Sequence, residues 1–123
     1  MAEYGFSKDS RLLTAADYKA VFDKAQYKVS CRHFLMLAAS NVGGSKRLGI
    51  VVAKKNVAQA VHRNRIKRQI RESFRKTSAG IQPLDVVVLA RRDADKLSNS
   101  QVSKFLNNLW QDLENKLVGN SNS

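Results

Sequence analysis

The chain has 123 residues, of which 43% are hydrophobic, and its 22 Lys and Arg against 10 Asp and Glu give a formal net charge of +12. This length and composition argue against a disordered chain and predict one globular domain with a hydrophobic core of its own. The charge favours a polyanionic partner (RNA, DNA or an acidic membrane) without choosing among them. Cys31 is the only cysteine, which excludes an intrachain disulfide, and with two histidines the chain lacks the ligands of a structural zinc site.

The N-terminal segment offers no export or membrane signal. It lacks a basic start followed by an apolar run, and no segment approaches about 18 consecutive apolar residues. We therefore expect a soluble, cytoplasmic protein without a membrane partner, and no obligate protein partner is evident from the pattern.

The first helix is predicted from about residue 15 to residue 25. Thr14 and Asp17 have the spacing of a capping box, in which each side chain bonds a main-chain amide at the helix start. Apolar residues then recur at i, i+3, i+4 and i+7, the pattern of a helix with one buried stripe. This stripe consists of Tyr18, Val21, Phe22 and Ala25.

Two strands are predicted next. Residues 29–39 alternate with the period of two that is typical of a strand, and the Gly-Gly-Ser sequence at 43–45 predicts a turn. The apolar, β-branched run 48–53 predicts a second, more buried strand that pairs antiparallel with the first.

A basic helix follows within residues 54–76. At about 100° per residue, Ile66, Ile70 and Phe74 fall on one line that can face a core. Seven of the fourteen residues from 63 to 76 are Lys or Arg and only one is acidic. Such a density of one sign costs self-repulsion unless an outside anion compensates it, so it predicts a nucleic-acid partner. The alternative is a solvated surface helix, but solvated faces usually mix both signs.

The last strand is predicted after Pro83. Residues 84–90 carry a Val-Val-Val centre that is typical of a central strand, and Arg91 and Arg92 follow it. The element order is then α-β-β-α-β-α, which predicts an α+β fold: a single-domain α/β sandwich with helices packed against a small sheet. The second strand, the basic helix and the last strand form a βαβ crossover.

A long helix is predicted after the candidate N-caps at 98–100, because its apolar residues keep the spacing of a buried stripe. Trp110 lies inside this stripe, which favours core packing over the alternative role of a base-stacking platform. We expect the domain to span residues 1–118 and residues 119–123 to form a polar, flexible tail. The stripe consists of Val102, Phe105, Leu106, Leu109, Trp110, Leu113 and Leu117.

The sequence contains no arrangement typical of a nuclease active site. Its acidic residues are scattered, and only Asp93 and Asp95 are close together, in a loop where a turn or cap competes with a metal site. His33 and His62 lie on different predicted elements and need not meet. The pattern therefore predicts no catalytic residue and no metal site. What remains is binding, since Arg and Lys side chains hold phosphates well.

Two segments carry a resemblance to a known family. Residues 47–55, Arg-Leu-Gly-Ile-Val-Val-Ala-Lys-Lys, and residues 63–72, Arg-Asn-Arg-Ile-Lys-Arg-Gln-Ile-Arg-Glu, resemble the signature of the bacterial ribonuclease P protein subunit. Residues 11–22 resemble the opening of that family and residues 85–92 its third strand, so the resemblance spans roughly residues 6–113.

The resemblance implies a helper of a large catalytic RNA. That RNA removes the 5′ leader from precursor tRNA and performs the hydrolysis with bound Mg²⁺, so Mg²⁺ is expected mainly on the RNA and on no dedicated protein site. The resemblance also implies a ribosomal-protein-like domain with a left-handed βαβ crossover, against the general rule of right-handed crossovers.

By matching positions, the resemblance assigns two sets of residues. For Phe22, core packing is an equal alternative to stacking on leader bases, and whether Phe34 faces the cleft or the core stays open. At Leu37 this chain lacks the leader-contacting Tyr of some relatives, so that contact is not transferred. The set expected to contact ribonuclease P RNA consists of Lys54, Lys55, Arg63, Asn64, Arg65, Lys67, Arg68 and Arg71. The set expected to line a cleft for the leader consists of Tyr18, Phe22, Phe34, Arg91 and Arg92.

Two other classes of function stay open at this point. A ribosomal or other structural RNA-binding protein would share the charge, the fold and the basic helix. A helix that reads a DNA major groove would need a turn and a positioning helix immediately before it, and the pattern predicts neither.

Overall fold

The computed structural model describes residues 15–40, 46–77 and 84–121, with the side chains of residues 15 and 118–121 left aside. Within these ranges three α-helices and one 3₁₀ turn surround a four-stranded sheet. The elements in chain order are α1 (Ala15–Lys24), β1 (Tyr27–Ser30), β2 (Phe34–Ser40), β3 (Arg47–Val51), α2 (Ala60–Thr77), β4 (Leu84–Ala90), the 3₁₀ turn (Ala94–Lys96) and α3 (Asn99–Ser121).

The strands lie in the order β1-β2-β4-β3. β4 is antiparallel to β2 and parallel to β3, with Leu37 and Gly49 both opposite Val87. The predicted antiparallel pairing of the first two strands is therefore wrong, because β4 lies between them. The physical reason is burial: β4 is buried along almost its whole length, so its Val-Val-Val centre is best covered in the middle of the sheet. The predicted βαβ unit is present as β3-α2-β4, while the hand of its crossover stays a prediction.

The single strand predicted at 29–39 is instead an antiparallel hairpin of β1 and β2. The amide of Cys31 donates to the carbonyl of Phe34 over 2.9 Å, which closes the turn. The turn also shifts the alternation by one, so that Val29 and Phe34 are both buried on the same side. Nothing in the sequence marks this reversal, because Ser30 to His33 contains no Gly, Pro or Asn.

The inner face of the sheet carries the main core. Ile66, Ile70 and Phe74 are buried as predicted, and the apolar stripe of α3 packs beside them. Trp110 is 2% exposed, its indole N–H donates to the hydroxyl of Ser73, and its ring centroid lies 5.7 Å from that of Phe74. The core-packing interpretation of Trp110 is confirmed. The strand residues of this core are Val29, Phe34, Met36, Ala38, Leu48, Leu84, Val86, Val88 and Ala90.

Among the described residues, α1 is the element that covers the outer face of the sheet. Val21 packs on Val87, and half-buried residues surround this small second cluster. Beside it, Arg47 holds Asp85 through two hydrogen bonds of 2.8 Å and reaches Asp17 of α1 over 3.3 Å. The hydrogen bond to Asp85 raises the pKa of the Arg47 guanidinium, so this group is charged wherever the protein is folded.

Several predicted boundaries can be compared with the structure. α1 ends at Lys24, one residue before the predicted end, whereas Thr14 of the capping box lies outside the described residues, as do the Gly-Gly-Ser turn and Pro83. α3 continues to Ser121, so the polar tail predicted from residue 119 is helical over its first three residues. The sequence did not predict this extension, because glycine, here Gly119, is a residue type at which helices commonly end.

Replacing Arg47 by Met is expected to lower the free energy of unfolding by about 1–3 kcal/mol, because the nearly buried Asp85 carboxylate loses a bidentate partner. The matched control is Lys19→Met, which removes the same charge from the exposed Lys19–Asp23 pair. This control should cost less than about 0.5 kcal/mol. Urea unfolding followed by circular dichroism measures both, and equal losses would mean that the Arg47 pair contributes no more than a surface contact.

Candidate nucleic-acid interface

The solvent side of α2 carries cations without partners. In the described part of the chain, no hydrogen bond or ion pair engages the side chains of Asn64, Lys67, Arg68 or Arg71. All four are exposed or half-buried, because the buried line of α2 turns the opposite face outward. These side chains, called here the α2 basic face, are free to bind phosphates.

Glu72 is the one acid on this helix, and Arg75 neutralises it. The Arg75 guanidinium donates to the Glu72 carboxylate over 2.8 Å, and this hydrogen bond holds the pKa of Glu72 below its ordinary value. Glu72 is therefore charged at neutral pH and paired with a cation of its own helix. Glu72 therefore cancels little of the positive charge of the α2 basic face.

Arg63 and Arg65, which the resemblance assigns to RNA contact, have partners inside the protein. Arg63 donates from one nitrogen to the carbonyls of Val57 and Ala58, over 3.1 and 2.8 Å, and so closes the turn before α2. Arg63 and Arg65 are both half-buried residues. Sequence reasoning missed this role, because the partners are main-chain carbonyls, which carry no residue signature.

Arg65 ties α2 to the segment that leads into α3. Its guanidinium donates to the carbonyls of Asp95 and Leu97, over 3.1 and 3.2 Å, and to the side-chain oxygen of Asn99 over 2.9 Å. In the same segment Asp93 adopts a left-handed conformation with φ of 70° at the start of the 3₁₀ turn. The turn interpretation of the Asp93 and Asp95 pair is thus the one that the structure supports.

The two predicted sets of residues meet at one edge of the sheet. β3 and β4 are parallel and end together, so Lys54 and Lys55 leave the sheet beside Arg91 and Arg92. The side-chain amide of Asn56 donates to the carbonyl of Ala90 over 3.1 Å, which clips the two chain ends together. The resemblance assigns these cations to separate sites, and the parallel pairing of β3 and β4 brings them onto one basic edge.

The hairpin turn also contacts this basic edge. The main-chain amide of Arg91 donates to the carbonyl of His33 over 2.8 Å, and its guanidinium donates to the carbonyl of Cys31 over 3.1 Å. Cys31 is half-buried and packs against the core. Arg91 is exposed in spite of these contacts, so part of its guanidinium still faces solvent.

The aromatic residues predicted for the leader cleft separate into three environments. Phe34 is completely buried on the inner face, so its assignment to the cleft is wrong: the hairpin shift places it in the core. Phe22 is 47% exposed, which excludes the core alternative. Tyr18 is half-buried, and its hydroxyl accepts from the amide of Ile50 over 2.9 Å and donates to the Ile50 carbonyl over 3.2 Å.

An apolar strip of the outer face lies beside α1 and is only partly covered. Leu35 and Val51 both stand opposite Leu89 in the register, which forms one row of half-buried side chains across three strands, called here the outer floor. Tyr18 reaches the Ile50 main chain next to this row, and Phe22 follows one turn later on the same flank of α1. Phe22 therefore borders the outer floor.

The helix α3 differs from α2 in its charge balance. From residue 99 to residue 117 the helix α3 carries Lys104 and Lys116 against Asp112 and Glu114, a balance of zero.

The described helices include none long and apolar enough to span a membrane. Nor do the described residues contain a group of three or more His, Cys, Asp or Glu that could hold a metal ion.

Arg65→Ala and Arg68→Ala remove the same charge from the same helix and are expected to differ in stability. Arg65→Ala should cost about 1–3 kcal/mol of unfolding free energy, because it frees the segment before α3. Arg68→Ala should stay within about 0.5 kcal/mol of the parent chain. Thermal and urea unfolding of both variants measure the difference, and a similar stability would contradict the tie described for Arg65.

Comparison with known proteins identifies the family of this chain. A family model described as Ribonuclease P matches residues 6–114. The ribonuclease P protein component of Chromohalobacter salexigens is 46% identical over 114 residues, which cover 93% of this chain and 89% of that protein. The ribonuclease P protein component of Pseudomonas aeruginosa is 44% identical over 113 residues, which cover 92% of this chain and 84% of that protein.

Solved structures agree with this match. The Staphylococcus aureus RNase P protein superposes with a TM-score of 0.77 at 33% identity, covering 85% of this chain and 94% of that one. The Thermotoga maritima RNase P protein superposes with a TM-score of 0.70 at 30% identity, covering 83% and 96%. The predicted α+β fold class is confirmed. The chain belongs to the ribonuclease P protein family, the protein subunits of an endoribonuclease ribonucleoprotein that acts in tRNA 5′ processing and whose RNA performs the catalysis.

Proposed function

We propose that this chain binds ribonuclease P RNA through the α2 basic face and the 5′ leader of precursor tRNA beside α1, and so assists removal of the leader. The observation that carries the proposal is the basic edge, where Lys54 and Lys55 meet Arg91 and Arg92. This edge lies between the start of α2 and the outer floor, so one surface can contact both RNAs. The proposed partners favour a cytoplasmic location.

The RNA-subunit half of the proposal depends on unpaired charge. Lys67, Arg68 and Arg71 have no anionic partner within the described ranges. The buried apolar contacts of α2 offset the repulsion among these cations. Each phosphate that such a cation neutralises releases a counterion, which favours binding strongly at low salt. Arg63 and Arg65 support the same surface from within. Arg63 fixes the turn before α2, and Arg65 ties α2 to the segment before α3.

The leader half of the proposal depends on Phe22. An exposed ring on the flank of a short helix, next to an apolar floor, suits the stacking of single-stranded bases, and each stack contributes roughly 1–3 kcal/mol. Arg91 and Arg92 lie at the end of the same strand as Leu89 and can hold the leader phosphates. Bases and backbone would thus find matching groups on adjacent parts of one surface.

Catalysis is proposed to remain with the RNA. Mg²⁺ would be bound mainly by the RNA and supply the charge stabilisation of phosphodiester hydrolysis there. The contribution of this chain is electrostatic: its +12 charge lowers the repulsion between the catalytic RNA and precursor tRNA, which reduces the Mg²⁺ needed for assembly.

The direct test is cleavage of 5′-labelled precursor tRNA at low Mg²⁺ by the protein alone, by bacterial ribonuclease P RNA alone and by both together. We expect cleavage at the mature 5′ end only in the mixture. An inactive mixture, with an RNA that works alone at high Mg²⁺, would favour a structural RNA-binding role. Cleavage by the protein alone would reveal an active site in the chain.

Replacing Arg68 and Arg71 by Ala is expected to weaken binding to ribonuclease P RNA and to flatten its salt dependence by about one unit of log–log slope per lost phosphate contact. The control replaces Lys104 and Lys116 by Ala, which removes the same charge from the balanced surface of α3. Filter binding across a salt series measures both slopes. An equal change in the two variants would mean that net charge matters and the α2 basic face does not.

Replacing Phe22 by Ala is expected to weaken binding of the assembled enzyme to leader-bearing precursor tRNA by about fivefold to a hundredfold, the range of one lost stack. Binding of mature tRNA, which has no leader, should stay unchanged. Equilibrium binding with both RNAs measures the ratio. If the two affinities fall together, the ring does not contact the leader.

A further inference from the structure

The hydroxyl of Tyr18 occupies a place that a neighbouring strand would otherwise take. In the sheet that residues 15–40, 46–77 and 84–121 form, β3 is an edge strand, so one side of its main chain has no strand partner there. The hydroxyl accepts from the Ile50 amide over 2.9 Å and donates to the Ile50 carbonyl over 3.2 Å. One side-chain atom thus satisfies both main-chain groups of an edge residue.

The Tyr18 ring lies directly on the main chain of β3. A Cβ atom added at Gly49 would overlap the ring and come within 2.9 Å of its Cζ atom. Only glycine leaves room for the ring at this distance. Ring and hydroxyl together hold α1 at one place on the strand, and Tyr18, Gly49 and Ile50 are called here the Tyr18 clasp.

Apart from Tyr18, few side chains of α1 are buried against the sheet. The helix has ten residues, too few to be stable alone in water, and Val21 is its only fully buried side chain in the described residues. Asp17 adds an ion pair with Arg47 of 3.3 Å on the other flank. The position of α1 therefore depends on the packing of Val21, on the Tyr18 clasp and on the contacts of Asp17.

We propose that Tyr18 is a positioning residue, which fixes α1 on the edge of β3 and thereby sets the place of Phe22 beside the outer floor. Phe22 follows Tyr18 by one turn on the same flank, so a displacement of the clasp moves both rings together. The hydroxyl of Tyr18 bonds the main chain of Ile50, so it affects leader binding only through the position of Phe22. This inference rests on the proposed leader-binding function.

The test compares Tyr18→Phe with Tyr27→Phe in the enzyme assembled with bacterial ribonuclease P RNA. The first variant removes only the clasp hydroxyl, and the control removes the hydroxyl of a half-buried tyrosine in the opposite edge strand. Hydrogen exchange of the Ile50 amide reports whether the clasp has opened. Affinities for leader-bearing precursor tRNA and for mature tRNA report the effect on the leader.

We expect Tyr18→Phe to speed exchange at Ile50 and to weaken binding of the leader-bearing precursor about threefold to tenfold, with mature tRNA unaffected. In a Phe22→Ala background the same change should have much less effect, because the ring that it displaces is gone. Gly49→Ala, which pushes the Tyr18 ring instead of removing its hydroxyl, should weaken leader binding in the same selective way.

Three outcomes would overturn the inference. Faster exchange at Ile50 with unchanged leader affinity, while Phe22→Ala still weakens it, would leave the clasp without a role in binding. Equal losses for precursor and mature tRNA would indicate general destabilisation. If Phe22→Ala and truncation of the leader both have no effect, the leader-binding function itself fails, and the inference fails with it.

Discussion

The burial of Ile66, Ile70 and Phe74 against the inner face of the sheet is the contact on which the rest of the structure depends. It holds α2 in place although the cations of that helix repel one another. Because α2 connects β3 to β4, its packing also brings these strands side by side in parallel. That pairing puts β4 in the middle of the sheet and unites the two pairs of cations at its end.

The two faces of the sheet are covered very unequally, and this inequality leaves the surface that is proposed to bind the leader. On the inner face, α2 and α3 bury a continuous core that includes Trp110 and Phe74. On the outer face, the short helix α1 covers one row of side chains and leaves the next row half-buried. A fully covered sheet would have no surface for a single-stranded RNA, and an uncovered one would expose too much apolar area to remain soluble.

Much of this could be predicted from the sequence because its signals are local or periodic. The lines Ile66–Ile70–Phe74 and Val102–Leu106–Leu109 follow from helical spacing, and the signature of residues 63–72 carries the family. The hairpin at Cys31 could not be predicted, since an alternating pattern continues through a tight turn and hides the shift that buries Phe34. The bonds of Arg65 and Tyr18 were equally hidden, because most of them end on main-chain atoms and all of them on residues thirty or more positions away.

The separation of charge between α2 and α3 has a consequence for how the molecule approaches its partner. A polyanion attracts the α2 basic face and exerts no comparable net force on α3, where Lys104 and Lys116 offset Asp112 and Glu114. The resulting torque turns the protein while it is still about a Debye length away, roughly 10 Å at 0.1 M salt. Encounters are therefore oriented before any side chain touches RNA, and a larger share of collisions becomes productive.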